Sequence, residues 1–151
     1  MSNTLNQLQS YLYDHIPLSV ALGVKVTQAS CHKVVLTAPL EPNINHKQTA
    51  FGGSLHAVAT LACWSLIYLN LKENSYLTEI VISKSEVKYS RPVTTDFTVE
   101  CELDNQTDWL KFETMLHKKG IGRLRLNSKI YQADHLAVDY WGEFVASWRE
   151  R

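Results

Sequence analysis

From Leu55 to Leu71 the chain is apolar at almost every position, broken only by His56, Thr60, Ser65 and Asn70. A segment with no polar face predicts a helix buried on all sides, here over residues 53–71. Upstream, Leu5, Leu8 and Leu12 recur at helical spacing ahead of Pro17, which predicts an N-terminal helix within residues 1–17, from Thr4 to His15. Two short β-type runs follow it, Val20 to Thr27 and Lys33 to Pro39.

Beyond the apolar helix the period changes from 3.6 to 2. Val81, Ser83, Ser85, Val87 and Tyr89 are expected on one face of a strand, with Lys84, Glu86 and Lys88 on the other. Phe97, Val99, Cys101 and Leu103 alternate with Asp96, Thr98, Glu100 and Glu102. Leu110, Phe112, Thr114 and Leu116 alternate with Lys111 and Glu113, and Lys119-Gly120-Ile121-Gly122 reads as a turn. Leu124, Leu126 and Ile130 then alternate with Arg123, Arg125 and Lys129, and a last strand carries Leu136, Val138, Tyr140, Phe144 and Trp148. Such alternation marks antiparallel strands with one face on a core. One all-apolar helix and about six one-sided strands pack most simply when the sheet curls around the helix. The expected class is α+β, as a single domain over 1–151. The long strand edges of such a sheet predict pairing between copies, as a homodimer or a dimer of dimers.

Composition narrows the function classes. Apolar residues make up 45% and charged residues 20%, which excludes a disordered chain. Fifteen basic side chains balance fifteen acidic ones, so charge supplies no reason to expect nucleic acid or an anionic membrane as partner. The polar residues within Leu55–Leu71 and the strands after it favour a core helix over a membrane span. The start of the chain lacks a basic stretch followed by an apolar run, so no signal peptide is expected. Cys31, Cys63 and Cys101 are odd in number and lack C-x-x-C spacing, which predicts free buried thiols and a cytoplasmic location. The six histidines show neither His-x-His nor His-Glu-x-x-His spacing, and no metal site is expected.

The chemistry concentrates just before the apolar helix, in Asn45-His46-Lys47-Gln48-Thr49-Ala50-Phe51-Gly52-Gly53-Ser54-Leu55. The first turn of a helix carries unpaired N–H groups and the positive end of the peptide dipole. Glycine there lets another molecule approach the backbone, and those amides can hold the oxygen of a carbonyl under attack.

The order helix, two strands, Gly-Gly loop, buried helix and further strands resembles the hotdog fold of acyl-CoA thioesterases. The segment Asn45-x-x-x-Thr49-x-Phe51-Gly52-Gly53-x-Leu55 resembles the Asn…His-Gly-Gly signature of the phenylacetate-type branch. Extended by Asn43 upstream and by Ala59-x-Leu61-Ala62-x-Trp64-Ser65 downstream, it is more similar to the thioesterase family typified by the YiiD C-terminal domain. Tyr89-Ser90-Arg91-Pro92 resembles the Arg-Pro strand end found after the helix in many hotdog proteins. The resemblance implies catalytic roles for Asn45, Gly53 and Thr60, substrate contacts from Phe51, Gly52, His56 and Arg91, and no cofactor beyond the coenzyme A of the substrate itself.

The chain departs from the phenylacetate-type pattern at two positions. The histidine of His-Gly-Gly is Phe51, and the acidic residue two turns into the helix falls at Thr60. No Asp or Glu occurs between Glu41 and Glu73, so the helix supplies no carboxylate to activate water. Either Thr60 and Asn45 orient the water, or a partner subunit supplies the base, or the domain binds an acyl thioester without hydrolysing it.

Each of these residues has a plainer reading beside the functional one. The glycines can serve a sharp turn, Asn45 can satisfy loop backbone, and Thr60 can bond back to its helix. Arg91 can pair with a phosphate of coenzyme A or stand solvated at a strand end. His46 and His56 are candidate bases, because a neutral imidazole accepts a proton near pH 7. Ser54 lacks a Gly-x-Ser-x-Gly elbow and reads as a first-turn helix residue. Trp64 and Tyr68 read as packing residues. The expected activity is hydrolysis of an acyl-CoA or acyl-carrier thioester by water. The alternatives are a non-catalytic acyl-thioester binding domain and a hotdog dehydratase.

Overall fold

The computed structural model describes residues 2–73 and 77–148, so the limits expected for the domain, 1 and 151, lie outside the described residues. In chain order the elements are α1 (Ser2–His15), α2 (Leu18–Ala21), β1 (Lys25–Ala29), β2 (Lys33–Ala38), a 3-10 turn (Glu41–Asn43) and α3 (Gly52–Glu73). Then come β3 (Thr78–Tyr89), β4 (Phe97–Glu102), α4 (Gln106–Lys119), β5 (Ile121–Gln132) and β6 (His135–Trp148). The strands form one antiparallel sheet in the order β1-β2-β4-β5-β6-β3, and α3 lies along its inner face. The α+β class and the curled sheet around one long helix are therefore as expected.

The inner faces of the strands explain why α3 is enclosed. Val34 and Leu36 on β2, Val99 and Cys101 on β4, Leu124, Leu126 and Ile130 on β5, and Val138, Tyr140 and Phe144 on β6 are all buried with it. From α3 itself Leu55, Val58, Leu61, Leu66, Ile67, Leu69 and Leu71 join this core. One stripe of the helix is not covered. Gly53 is exposed, and His56, Ala57, Thr60, Trp64 and Tyr68 are half-buried along successive turns.

The two sheet edges are treated differently. Along β1, side chains of α1 reach the backbone: Val26 N–H donates to Gln9 Oε1 at 2.7 Å, and Gln9 Nε2 donates to the carbonyl of Val24 at 3.2 Å. Among the described residues β3 pairs with β6 alone, leaving its other side open.

Three expectations need correction. Residues 110–116 are not a strand but part of α4. Trp109, Phe112 and Leu116 are its buried face at helical spacing, while Leu110 and Met115 stand exposed. Asn105 caps its start by accepting from Asp108 N–H at 3.1 Å, and Gly120, at φ 75°, ends it in the left-handed conformation that favours glycine. Gly122 lets α4 sit close on β5, since a Cβ there would fall 2.7 Å from the Phe112 carbonyl. Second, Val81 does not share the face of Val87. A register shift between Ile82 and Lys84 reverses the phase, so Ile80 and Val87 pack on the core while Val81 is exposed. Third, the run expected from Val20 begins as helix. Pro17, which ends α1 at His15, leads into α2, where Val20 lies, and β1 starts only at Lys25.

The helical register of α4 predicts unequal costs at neighbouring positions. Phe112→Ala should cost about 3–5 kcal/mol of unfolding free energy in urea, and Leu110→Ala no more than about 0.5 kcal/mol. Equal losses would instead fit the alternating, strand-like pattern.

Candidate active site at the start of the central helix

The loop before α3 is built largely by one side chain. Asn45 Oδ1 accepts from the N–H groups of Lys47 at 2.8 Å and Thr49 at 3.2 Å, and Asn45 Nδ2 donates to Thr49 Oγ1 at 2.8 Å. That leaves one N–H of the carboxamide without a partner among the described residues. The left-handed residue in the loop is Gln48, at φ 64°. Neither Gly52 nor Gly53 has a positive φ, so the turn into the helix does not require glycine there. What glycine permits is proximity: a Cβ on Gly53 would fall 2.4 Å from the ring of Phe51, which covers the helix start.

Asn43, buried in the preceding 3-10 turn, anchors this region. Its amide donates to the carbonyls of Leu22 and Pro39, each at 2.8 Å, and its own carbonyl accepts from Phe51 N–H at 2.7 Å. The first helical bond runs from Leu55 N–H to Phe51 O at 3.1 Å. The N–H groups of Gly52, Gly53 and Ser54 therefore have no backbone partner among the described residues. They form the positive end of a 22-residue helix, where the exposed Gly53 begins the uncovered stripe.

One and two turns along that stripe stand His56 and Thr60. His56 Nε2 lies 3.0 Å from Ser85 Oγ on β3, and its ring sits edge-on to Tyr140, with centroids 5.4 Å apart. Thr60 Oγ1 is 2.9 Å from the His56 carbonyl and 2.8 Å from the Tyr140 hydroxyl. Tyr140 is fully buried, and burial pushes its phenol up to about 12. The cluster of His56, Thr60, Ser85 and Tyr140 contains no carboxylate.

On the other side of the helix start, Tyr89 donates from its hydroxyl to the Gly52 carbonyl at 3.0 Å. Gly52, Tyr89 and Arg91 line a cleft of about 330 Å3 with Leu55 and Val93. Arg91 is exposed there, and no carboxylate pairs with it among the described residues. The helix start thus brings together Phe51, Gly52, Gly53, His56 and Thr60, with Arg91 beside Gly52. Asn45 lies in the adjoining loop. His46 is exposed in the same loop, and Ser54 is a first-turn helix residue. Trp64 and Tyr68 stack with Tyr11 of α1, farther along the stripe.

Sequence reading did not single out Ser85, Tyr89 and Tyr140 as site residues. Ser85 shared its expected face with Ser83, and only the register shift between Ile82 and Lys84 sets it apart. Tyr140 looked like any inward aromatic. Among the described residues, no group of three potential metal ligands occurs. Cys63 and Cys101 are buried free thiols with sulfurs 3.5 Å apart. Cys31 is only half-buried, contrary to expectation, and its thiol bonds to Glu73.

Comparison with known proteins gives the site a context. Residues 5–148 match the family described as "Putative thioesterase (yiiD_Cterm)". A protein of unknown function from Chlorobaculum tepidum is 31% identical, with a TM-score of 0.90 over 95% of this chain and 94% of its own. A putative thioesterase from Shewanella oneidensis is 23% identical, with a TM-score of 0.83 over 99% of this chain and 100% of its own. A thioesterase from Haemophilus influenzae shares the fold at 16% identity, with a TM-score of 0.76 over 98% of this chain and 94% of its own.

The buried phenol offers a direct check on the geometry. The folded state keeps the Tyr140 proton where an unfolded chain, ionising near 10.0, has lost it, so this residue's contribution to stability falls as pH rises from about 10 to 12. Tyrosinate absorbance of the native protein minus that of Tyr140→Phe should titrate with a midpoint about 12. A difference midpoint near 10.0, the ordinary value, would mean that water reaches the ring.

Proposed function

The chain belongs to the YiiD C-terminal family of putative thioesterases, and from that membership we propose that it hydrolyses an acyl thioester of coenzyme A or of an acyl carrier. The observation that carries this reading is the run of amides at Gly52, Gly53 and Ser54 without backbone partners among the described residues, at the head of the stripe that holds His56 and Thr60.

In the proposed reaction the Gly53 amide holds the thioester oxygen. Water attacks the carbonyl carbon, and the negative charge that develops on the oxygen meets the helix N-terminus. Thr60 and the remaining N–H of Asn45 orient the reactants, and His56 accepts the proton released by water. Collapse of the intermediate breaks the C–S bond, and the proton returns to the departing thiolate. Phe51 and Gly52 contact the acyl thioester, and Arg91, beside Gly52 in its cleft, takes a phosphate of coenzyme A. The open β3 edge supports a homodimer, since an unpaired edge of 12 residues is otherwise a template for aggregation. The three free thiols fit a cytoplasmic location.

A second reading, binding without hydrolysis, is favoured by one specific observation: no carboxylate lies on α3 before Glu73, and both hydrogen bonds of the Thr60 hydroxyl stay within the protein.

Release of free thiol from short, medium, long and aromatic acyl-CoA esters separates the two. Turnover well above the spontaneous rate of at least one ester is expected. Asn45→Ala and Thr60→Ala should each lower it by about tenfold or more with the far-ultraviolet spectrum unchanged. Thr60→Asp, which supplies a carboxylate, should raise it. No turnover together with tight binding of a non-hydrolysable analogue would establish the binding domain instead, and unchanged rates in both alanine variants would remove Asn45 and Thr60 from the site.

A further inference from the structure

We infer that Tyr140 is a positioning residue, whose hydroxyl fixes the direction in which Thr60 offers a lone pair to the attacking water. This rests on the hydrolytic reading above and assigns the orienting function within it.

Counting protons leads to that assignment. The Tyr140 hydroxyl is fully buried, and Thr60 Oγ1, at 2.8 Å, is its only hydrogen-bond partner among the described residues. The same oxygen lies 2.9 Å from the carbonyl of His56, and a carbonyl can only accept. The Thr60 proton therefore goes to the His56 carbonyl, and the Tyr140 proton goes to Thr60. Having given one bond and received one, the Thr60 oxygen retains a single free lone pair. Thr60 is half-buried on the uncovered stripe of α3, with Gly53 and His56 on the same stripe, so that lone pair is what the open side of the helix presents.

A carboxylate needs no such arrangement, because both its oxygens accept in several directions. With its proton on the His56 carbonyl the hydroxyl has two lone pairs, and without Tyr140 the inward one would be open to water as well as the outward one. The tyrosine also holds the imidazole of His56 edge-on, so one buried ring fixes both groups that meet the water. Its phenol, raised to about 12 by burial, stays a donor throughout the neutral range.

The test is a double-mutant cycle on the full chain with Tyr140→Phe, Thr60→Val and the pair, using the acyl-CoA ester turned over fastest. Thr60→Val keeps the shape of the side chain, and the double variant replaces both partners by apolar groups, an exchange that native packing tolerates. Tyr140→Phe should lower kcat about tenfold, the worth of one oriented hydrogen bond, with KM unchanged. In the Thr60→Val background the same change should cost nothing further. Equal losses in both backgrounds would assign Tyr140 a purely structural role, and a wild-type rate in Tyr140→Phe would remove it from the site.

Crystals of the wild type and of Tyr140→Phe give a readout independent of turnover. An ordered water on Thr60 Oγ1 is expected in the first and not in the second, and its presence in both or in neither overturns the inference. If the wild type releases no thiol from any ester, the hydrolytic reading falls by itself, and the water on Thr60 still decides the role of Tyr140.

Discussion

The structure depends on enclosing a helix that has no polar face to show to water. Each Leu or Ile that α3 buries contributes on the order of 1.5–3 kcal/mol, and helix propensity supplies far less than the packing does. Five strands, β2 to β6, line the helix with their inner side chains, and α4 extends the core at Gly122. The sheet does not close on itself, β1 and β3 being its edges, and one stripe of α3 stays uncovered. His56 and Thr60, the side chains of the proposed chemistry that lie on the helix, are both on that stripe.

The constraint also shapes the electrostatics. The helix start carries three amides without backbone partners among the described residues and the positive end of the dipole, which favours a developing oxyanion. Two turns in, next to the buried Tyr140, an ionised carboxylate would have to be desolvated, at a cost that rises steeply with burial. Here the position carries a hydroxyl, held between a carbonyl and a phenol. The cluster around Thr60 holds no carboxylate, and what it offers a reaction is fixed dipoles. Activity in such a pocket would rest on orientation, which is what the proposed role of the buried Tyr140 supplies to Thr60.

Much of this was legible in the chain alone. The apolar run from Leu55 to Leu71 had one packing solution, and the Gly52-Gly53 pair marked where its end would open. α4 was misread because Leu110 and Phe112 alternate over a window too short to separate two periods. Trp109, Phe112 and Leu116, framed by Asn105 and Gly120, carried the helical signal. The face of β3 was misjudged at Val81 because a bulge shifts the phase by one residue and leaves no mark in composition. The partnership of Thr60 with Tyr140 spans 80 positions of sequence, and only the register of β6 against α3 creates it. Long-range pairings of single polar atoms are what a pattern of apolar residues does not encode.

The treatment of the two sheet edges ties the site to the proposed assembly. α1 occupies part of the β1 edge, where Gln9 bonds to the N–H of Val26 and the carbonyl of Val24. β3 has no such cover, and β3 is the strand that supplies Ser85 to His56 and Tyr89 to the Gly52 carbonyl. Pairing a second copy along that edge would satisfy its free N–H and C=O groups and bring further surface next to the open stripe of α3. Water exclusion, which strengthens every dipole in the site, would then come from the partner rather than from the chain itself. On that argument the exposed side of β3 is where a second copy would make good the incomplete enclosure of the helix, and the proposed assembly and chemistry would share one strand.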